Sequence, residues 1–87
     1  MRIDLALKRL LLVKSRSEAK EACDVGAVHL NGKPVKASAE VRVGDRIRID
    51  YATRTLEVLL LEEIGKNVSR ADAKTLYRVE RDERVRE

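Results

Sequence analysis

Eighty-seven residues suffice for one small domain with one modest core, which disfavours a self-contained enzyme built around a deep pocket. Lys and Arg number 19 against 15 Asp and Glu, giving a net charge of +4 that points toward an anionic partner. Aromatic residues make up 2% of the chain, Tyr51 and Tyr77 alone, so the ring platform on which many single-strand RNA binders stack bases is not expected.

Ile3, Ala6, Leu7, Leu10 and Leu11 recur at helical spacing and predict an amphipathic helix over about Asp4 to Leu12, with Asp4 as its N-cap. Lys8 and Arg9 lie off the apolar stripe, and so do Leu5 and Leu12, which are free to meet the C-terminal segment. Ser15-Arg16-Ser17-Glu18 has the form of a capping box and opens a second helix. Ala19, Ala22 and Cys23 give that helix a narrow inner face suited to close packing, and Gly26 is placed to end it.

The period then changes to two. Val28 and Leu30 alternate with His29 and Asn31, and Asn31-Gly32 is a hairpin signal. Pro34 confines the next strand to an edge or a strand start. Val35 and Ala37 continue the inward set, and Gly44-Asp45 marks a second turn. Ile47, Ile49 and Tyr51 alternate with Arg46, Arg48 and Asp50 as a half-buried strand. Ala52-Thr53-Arg54 turns the chain into another strand, Thr55 to about Leu61, whose Leu59-Leu60-Leu61 run suggests burial on both faces. Gly65-Lys66-Asn67 reads as a loop, and Ser69 caps a short helix over Arg70 to Leu76. The mixed-charge tail from Arg78 to Glu87 is expected to fray at its end.

The charge is not spread evenly. Residues 1–20 hold six basic groups (Arg2, Lys8, Arg9, Lys14, Arg16, Lys20) and two acids (Asp4, Glu18). Residues 21–50 carry five of each sign and residues 51–87 eight of each, so the whole excess sits in the first twenty. A solvated helix face is the common meaning of a charge run, but an imbalance this local is the footprint of a polyanion binder. A phosphate near Ser15–Ser17 would meet unpaired N–H groups at a helix start and the donor fork of Arg16. Arg2, Lys8, Lys14 and Lys20 surround that point, and contacts of this kind follow a backbone, not a base sequence.

No other chemistry competes. Cys23 is the single cysteine, so it forms no internal disulfide, has no partners for a Cys-based zinc site and fits a reducing, cytoplasmic setting as a small core residue. His29 points outward and reads as a surface histidine, Glu62-Glu63 as solvated acids, and no Ser/His/Asp set suggests itself. The apolar run Leu10–Val13 is too short for a secretory signal, and no stretch approaches the ~20 apolar residues of a membrane span. No cofactor or metal is expected.

The combination Arg-Ile-Asp at 2–4, Ser-Arg at 15–16, Ala19, Gly26-Ala-Val28, Asn31-Gly32, Pro34-Val35, Val41 and Val43-Gly44-Asp45 resembles the S4 RNA-binding domain, or αL motif, over roughly the first 50 residues. The resemblance implies an α+β fold with two N-terminal helices on an antiparallel sheet of four to five strands and a short C-terminal helical appendage. The expected division is an RNA-binding core at 1–50, additional strands of the same domain at 51–64, and an appendage at 65–87, partly helical with a frayed tail. The length leaves no room for the enzymes to which many S4 domains are joined. The chain looks most like the stand-alone bacterial ribosome quality-control factors that stabilise P-site tRNA, and next like the heat-shock protein 15 group.

That likeness implies a monomeric, non-catalytic factor on the large ribosomal subunit. Its partners would be 23S rRNA and P-site tRNA, with the nascent-chain tailing factor close by and no membrane. Arg2 and Arg16 look like the RNA-contacting arginines of such factors, and Lys8, Lys14, Ser15, Ser17 and Lys20 complete the expected site. Leu5 departs from the pattern, which often carries a polar or basic residue there. Three alternatives stand beside this one: an accessory that targets a separate RNA-modifying enzyme, a recycling factor for the 50S subunit of the heat-shock protein 15 kind, and a protein-interaction module whose basic face meets an acidic partner.

Overall fold

In a computed structural model that describes residues 1–84, the chain runs α1 (Ile3–Arg9), α2 (Arg16–Asp24), β1 (Val28–Leu30), β2 (Lys33–Pro34), β3 (Arg46–Asp50), β4 (Arg54–Leu60), α3 (Arg70–Thr75) and β5 (Tyr77–Arg84). The strands form one antiparallel sheet in the order β2-β1-β3-β4-β5. Ile3, Leu7, Leu10, Val28, Ile47 and Val58 are its largest fully buried side chains, so the core lies between the two N-terminal helices and one sheet face. This is the α+β arrangement expected, with five strands.

The first helix differs in its limits. It begins at Ile3 and ends at Arg9, and its N-cap is Arg2, which makes no side-chain cap bond. Asp4 is therefore inside the first turn and is not the cap. The N–H groups freed at this end are taken by a strap from the loop before β3: Ile3 donates to the Ala39 carbonyl at 2.8 Å and Asp4 to that of Ala37 at 3.2 Å. The helix stops early because Leu11 turns into the left-handed region at φ 61°. The Leu11 N–H then bonds the Lys8 carbonyl and the Leu12 N–H that of Leu7, each at 3.0 Å, which is a Schellman motif.

Helix α2 follows its capping signal in part. The Ser15 hydroxyl accepts from the Glu18 N–H at 3.1 Å. Its end repeats the motif of α1, here with glycine at the left-handed position: Gly26 (φ 77°) donates to Cys23 at 3.0 Å and Ala27 to Ala22 at 2.8 Å. Asn31 (φ 52°) and Gly32 (φ 86°) form the hairpin turn between β1 and β2, both in the positive-φ conformation such two-residue loops require.

Two strand expectations need correction. The Leu59–Leu61 run is not buried on both faces: Leu56, Val58 and Leu60 are buried while Leu61 is exposed, so β4 keeps simple alternation. The segment from Tyr77 to Arg84 is an edge strand paired along the length of β4, with a bulge opposite Glu57/Val58. It escaped notice because its residues alternate charge with charge and its one inner apolar position is Tyr77, leaving no apolar alternation to read. The fraying expected at the end of the Arg78–Glu87 tail falls on residues 85–87, outside the described residues.

Candidate nucleic-acid interface

Asp4 organises the basic segment. Its side chain is 5% exposed, and Arg2 Nη2 (3.1 Å) and Arg16 Nη2 (3.4 Å) both donate to its Oδ2. Oδ1 accepts the Leu5 N–H at 2.7 Å. The two arginines come from different elements, one just before α1 and one at the first position of α2, and helix packing brings them to one oxygen. Their side chains stay 52% and 48% exposed, so each holds one donor on Asp4 and presents the rest of its fork to water.

The electrostatics of this point are uncompensated. One carboxylate serves two guanidinium groups, leaving one positive charge in excess. Arg16 also stands at the positive end of the α2 dipole, where a cation is unfavourable and an anion is not. Among the described residues the Arg16 and Ser17 N–H groups meet no acceptor, and the Ser15 hydroxyl, having accepted from Glu18, can still donate. An oxyanion placed there would receive backbone N–H bonds, a hydroxyl and two charged forks at once.

The remaining predicted residues divide. Lys8 lies one turn beyond Asp4 on α1 and Lys20 one turn beyond Arg16 on α2, both exposed, so they extend the same seam. Lys14 is exposed in the corner between the helices and faces a groove instead. Among the described residues, none of Lys8, Lys14 and Lys20 has an acidic partner.

The strands differ: Arg46 and Arg78 share Glu80 (3.7 and 3.1 Å), Arg48 pairs with Asp50 (3.3 Å), Arg54 with Asp82 (3.4 Å) and Arg81 with Glu83 (2.8 Å). His29 lies against Arg48, whose Nη2 is 3.4 and 3.3 Å from the two ring nitrogens. Most strand arginines thus have an acidic partner, although Arg46 and Arg78 share one, whereas the lysines of the helical corner have none among the described residues. Sequence reasoning missed Asp4 as the organising group, although an acid two residues from Arg2 in an otherwise basic run was a usable signal. It also missed Arg70 and Lys74 on α3, which line the groove beside Lys14.

The sequence profile of the S4 domain matches residues 1–47, the part that contains the arginine pair and both helices. A Helicobacter pylori protein named RQC P-site tRNA stabilizing factor is 47% identical over 73 residues, covering 83% of this chain and 87% of its own length. The Bacillus subtilis protein of the same name is 31% identical over 87 residues, spanning all of both chains. The trimeric structure of Vibrio cholerae heat shock protein 15 superposes with a TM-score of 0.84 at 26% identity, covering 91% of this chain and 80% of that one. No helix among the described residues is long and apolar enough to cross a membrane. Fold, matched residues and full-length relatives agree: this chain belongs to the S4 domain family of RNA-binding proteins, in the group of RQC P-site tRNA stabilizing factors.

Proposed function

We propose that the protein is a non-catalytic clamp for structured RNA on the large ribosomal subunit, gripping 23S rRNA and P-site tRNA while a stalled nascent chain is processed in the cytoplasm. The observation that carries this reading is the convergence of Arg2 and Arg16 on Asp4 beside the open N-terminus of α2. Two forks fixed to one buried carboxylate present their donors at a set spacing, which suits a phosphate path in folded RNA better than a mobile single strand. The names of the relatives supply the tRNA and the quality-control setting. Lys8, Ser15, Ser17 and Lys20 line the same path, Lys14 stands beside it at the mouth of a groove, and the tailing factor would meet the complex on the subunit.

The test compares Arg16→Ala with Arg81→Ala, a control on the self-neutralised strand β5. Both are assayed for sedimentation with 50S subunits carrying peptidyl-tRNA and for binding to an rRNA stem-loop across a salt series, after thermal stability is matched. Arg16→Ala is expected to lose roughly ten- to a hundred-fold in affinity, as for a charge-assisted contact. Its log-affinity against log-salt slope should flatten by about 0.7–0.9. Arg81→Ala should bind as the parent does. Equal binding by the two variants refutes the proposed face. Co-purification with an RNA-modifying enzyme and not with subunits would favour the accessory role.

A further inference from the structure

Beside the arginine pair lies a groove of about 760 Å³ between the α1–α2 corner and α3. Its floor is apolar, with Leu11, Leu12, Tyr51 and Tyr77 among its lining residues. Its rim carries Lys14, Arg70 and Lys74 against the single acid Glu18. Among the described residues none of these three cations has an ion-pair partner. The only two aromatic rings of the chain, 26 positions apart in sequence, therefore meet the same cleft.

One residue in the groove has no structural justification. Leu11 occupies the left-handed position of the Schellman motif that ends α1, with φ 61°, yet its side chain is 51% exposed. At the corresponding place after α2 the chain has Gly26. A leucine in this conformation is strained, and exposure returns little burial to offset it. Strain without packing in return is what a binding surface retains.

We propose that this groove receives one unpaired nucleotide of the bound RNA, its base against Leu11 and the tyrosines and its phosphate on Lys14, Arg70 and Lys74. The inference rests on the RNA-binding reading above. Three observations select a nucleotide as occupant. The rim is cationic, as a phosphate requires. The cleft is continuous with the arginine face, because Lys14 adjoins the Ser15-Arg16 start of α2. The floor offers flat and branched apolar groups, and only a base freed from its helix can turn a face to them. The Arg16 seam then holds the duplex while the groove reads a defect in it.

The experiment uses the full chain and three RNA hairpins of equal length: fully paired, with one bulged adenosine, and with an abasic nucleotide in place of that adenosine. Binding is measured by fluorescence anisotropy. The parent should bind the adenosine bulge roughly ten-fold tighter than either other RNA, the scale of one stacked base. Leu11→Gly should raise the melting temperature by about 4–8 °C, since it relieves the backbone. The same variant should lose the preference for the bulge. Arg70→Gln with Lys74→Gln should lose it too, and Arg16→Ala should weaken all three RNAs while keeping it. Equal binding of the three RNAs by the parent, or retention of the preference in Leu11→Gly, overturns the inference and leaves the clamp intact. Equal RNA binding combined with weaker 50S sedimentation of Leu11→Gly would assign the groove to a protein partner instead. Failure of every hairpin to bind would remove the RNA reading itself.

Discussion

Replacing Asp4 with asparagine separates positioning from charge at the RNA face. The substitution keeps the side chain's shape and an oxygen for the Leu5 N–H, but removes the charge on which Arg2 and Arg16 converge. Two effects oppose each other. A carboxylate separated from a phosphate by one arginine, about 6 Å away, repels it by about 1.4 kcal/mol at an effective dielectric of about 40, between the near-surface value and that of water, and that repulsion disappears. Against this, each arginine carries about 2 kcal/mol of rotamer entropy, of which roughly half is already lost when the free protein pins one end of the fork.

Half is the appropriate fraction because the side chains are themselves about half exposed. Freeing both thus costs about 2 kcal/mol at binding, and positioning prevails by about 0.6 kcal/mol, close to a threefold loss of affinity. Stability should fall by about 1–3 kcal/mol, since the guanidinium groups can return to water but the buried amide nitrogen that replaces Oδ2 is left without an acceptor. Anisotropy with an rRNA stem-loop at several salt concentrations, alongside urea melts, measures both quantities. Asp4→Asn binding as tightly as the parent, or more tightly, refutes the view that the carboxylate orders the site.

Tyr51→Phe should lose about 1 kcal/mol by stranding the Leu12 carbonyl, to which the phenol donates at 2.6 Å. Burial pushes the Tyr51 phenol above its usual value. A folded pKa above the unfolded one gives a contribution that is complete below about pH 10 and lost as pH rises further, and urea melts of the phenylalanine variant should lack that decline. Gly26→Ala should lower stability by about 1 kcal/mol through its backbone alone, because a Cβ there meets nothing within 4 Å at φ 77°; a much larger loss in a thermal melt would mean a hidden clash. Burial likewise pushes the Cys23 thiol up, so alkylation at pH 8 should be slow in the native protein and fast in denaturant; equal rates would place the thiol at the surface.

Much of the fold was readable because its signals are local. Ser15 with Glu18, Gly26, and Asn31-Gly32 each act within a few residues, and each forms the cap or turn expected. The end of the first helix was read three residues too late because Leu10 and Leu11 continue the apolar stripe, and nothing in a leucine announces a left-handed backbone. Strand β5 was illegible for the opposite reason: its place depends on hydrogen bonds to β4 and hardly at all on burial. At the proposed site, the charge imbalance marked the segment whose arginines converge on Asp4, and the capping box placed Arg16 at a helix start. The bond from Arg16 to Asp4 spans 12 positions and arises only when α1 packs on α2, so no local pattern contains it. The shared groove of Tyr51 and Tyr77 is likewise a product of tertiary packing.

The charged edge strand bears on how the protein behaves at high concentration. Its outer side offers a row of backbone donors and acceptors, the template on which a second chain could assemble. The alternating partners Arg78–Glu80 and Arg81–Glu83 cover the strand with hydrated, mutually satisfied charge that an approaching copy would have to strip of water. Behind it lies β4, whose Leu56, Val58 and Leu60 would front the rim of the sheet if the strand were cut away. Removing residues 77–84 would therefore leave the arginine face in place and expose a short, apolar, β-rich segment prone to self-association. The last strand keeps the sheet finite, allowing copies to crowd together without joining edge to edge.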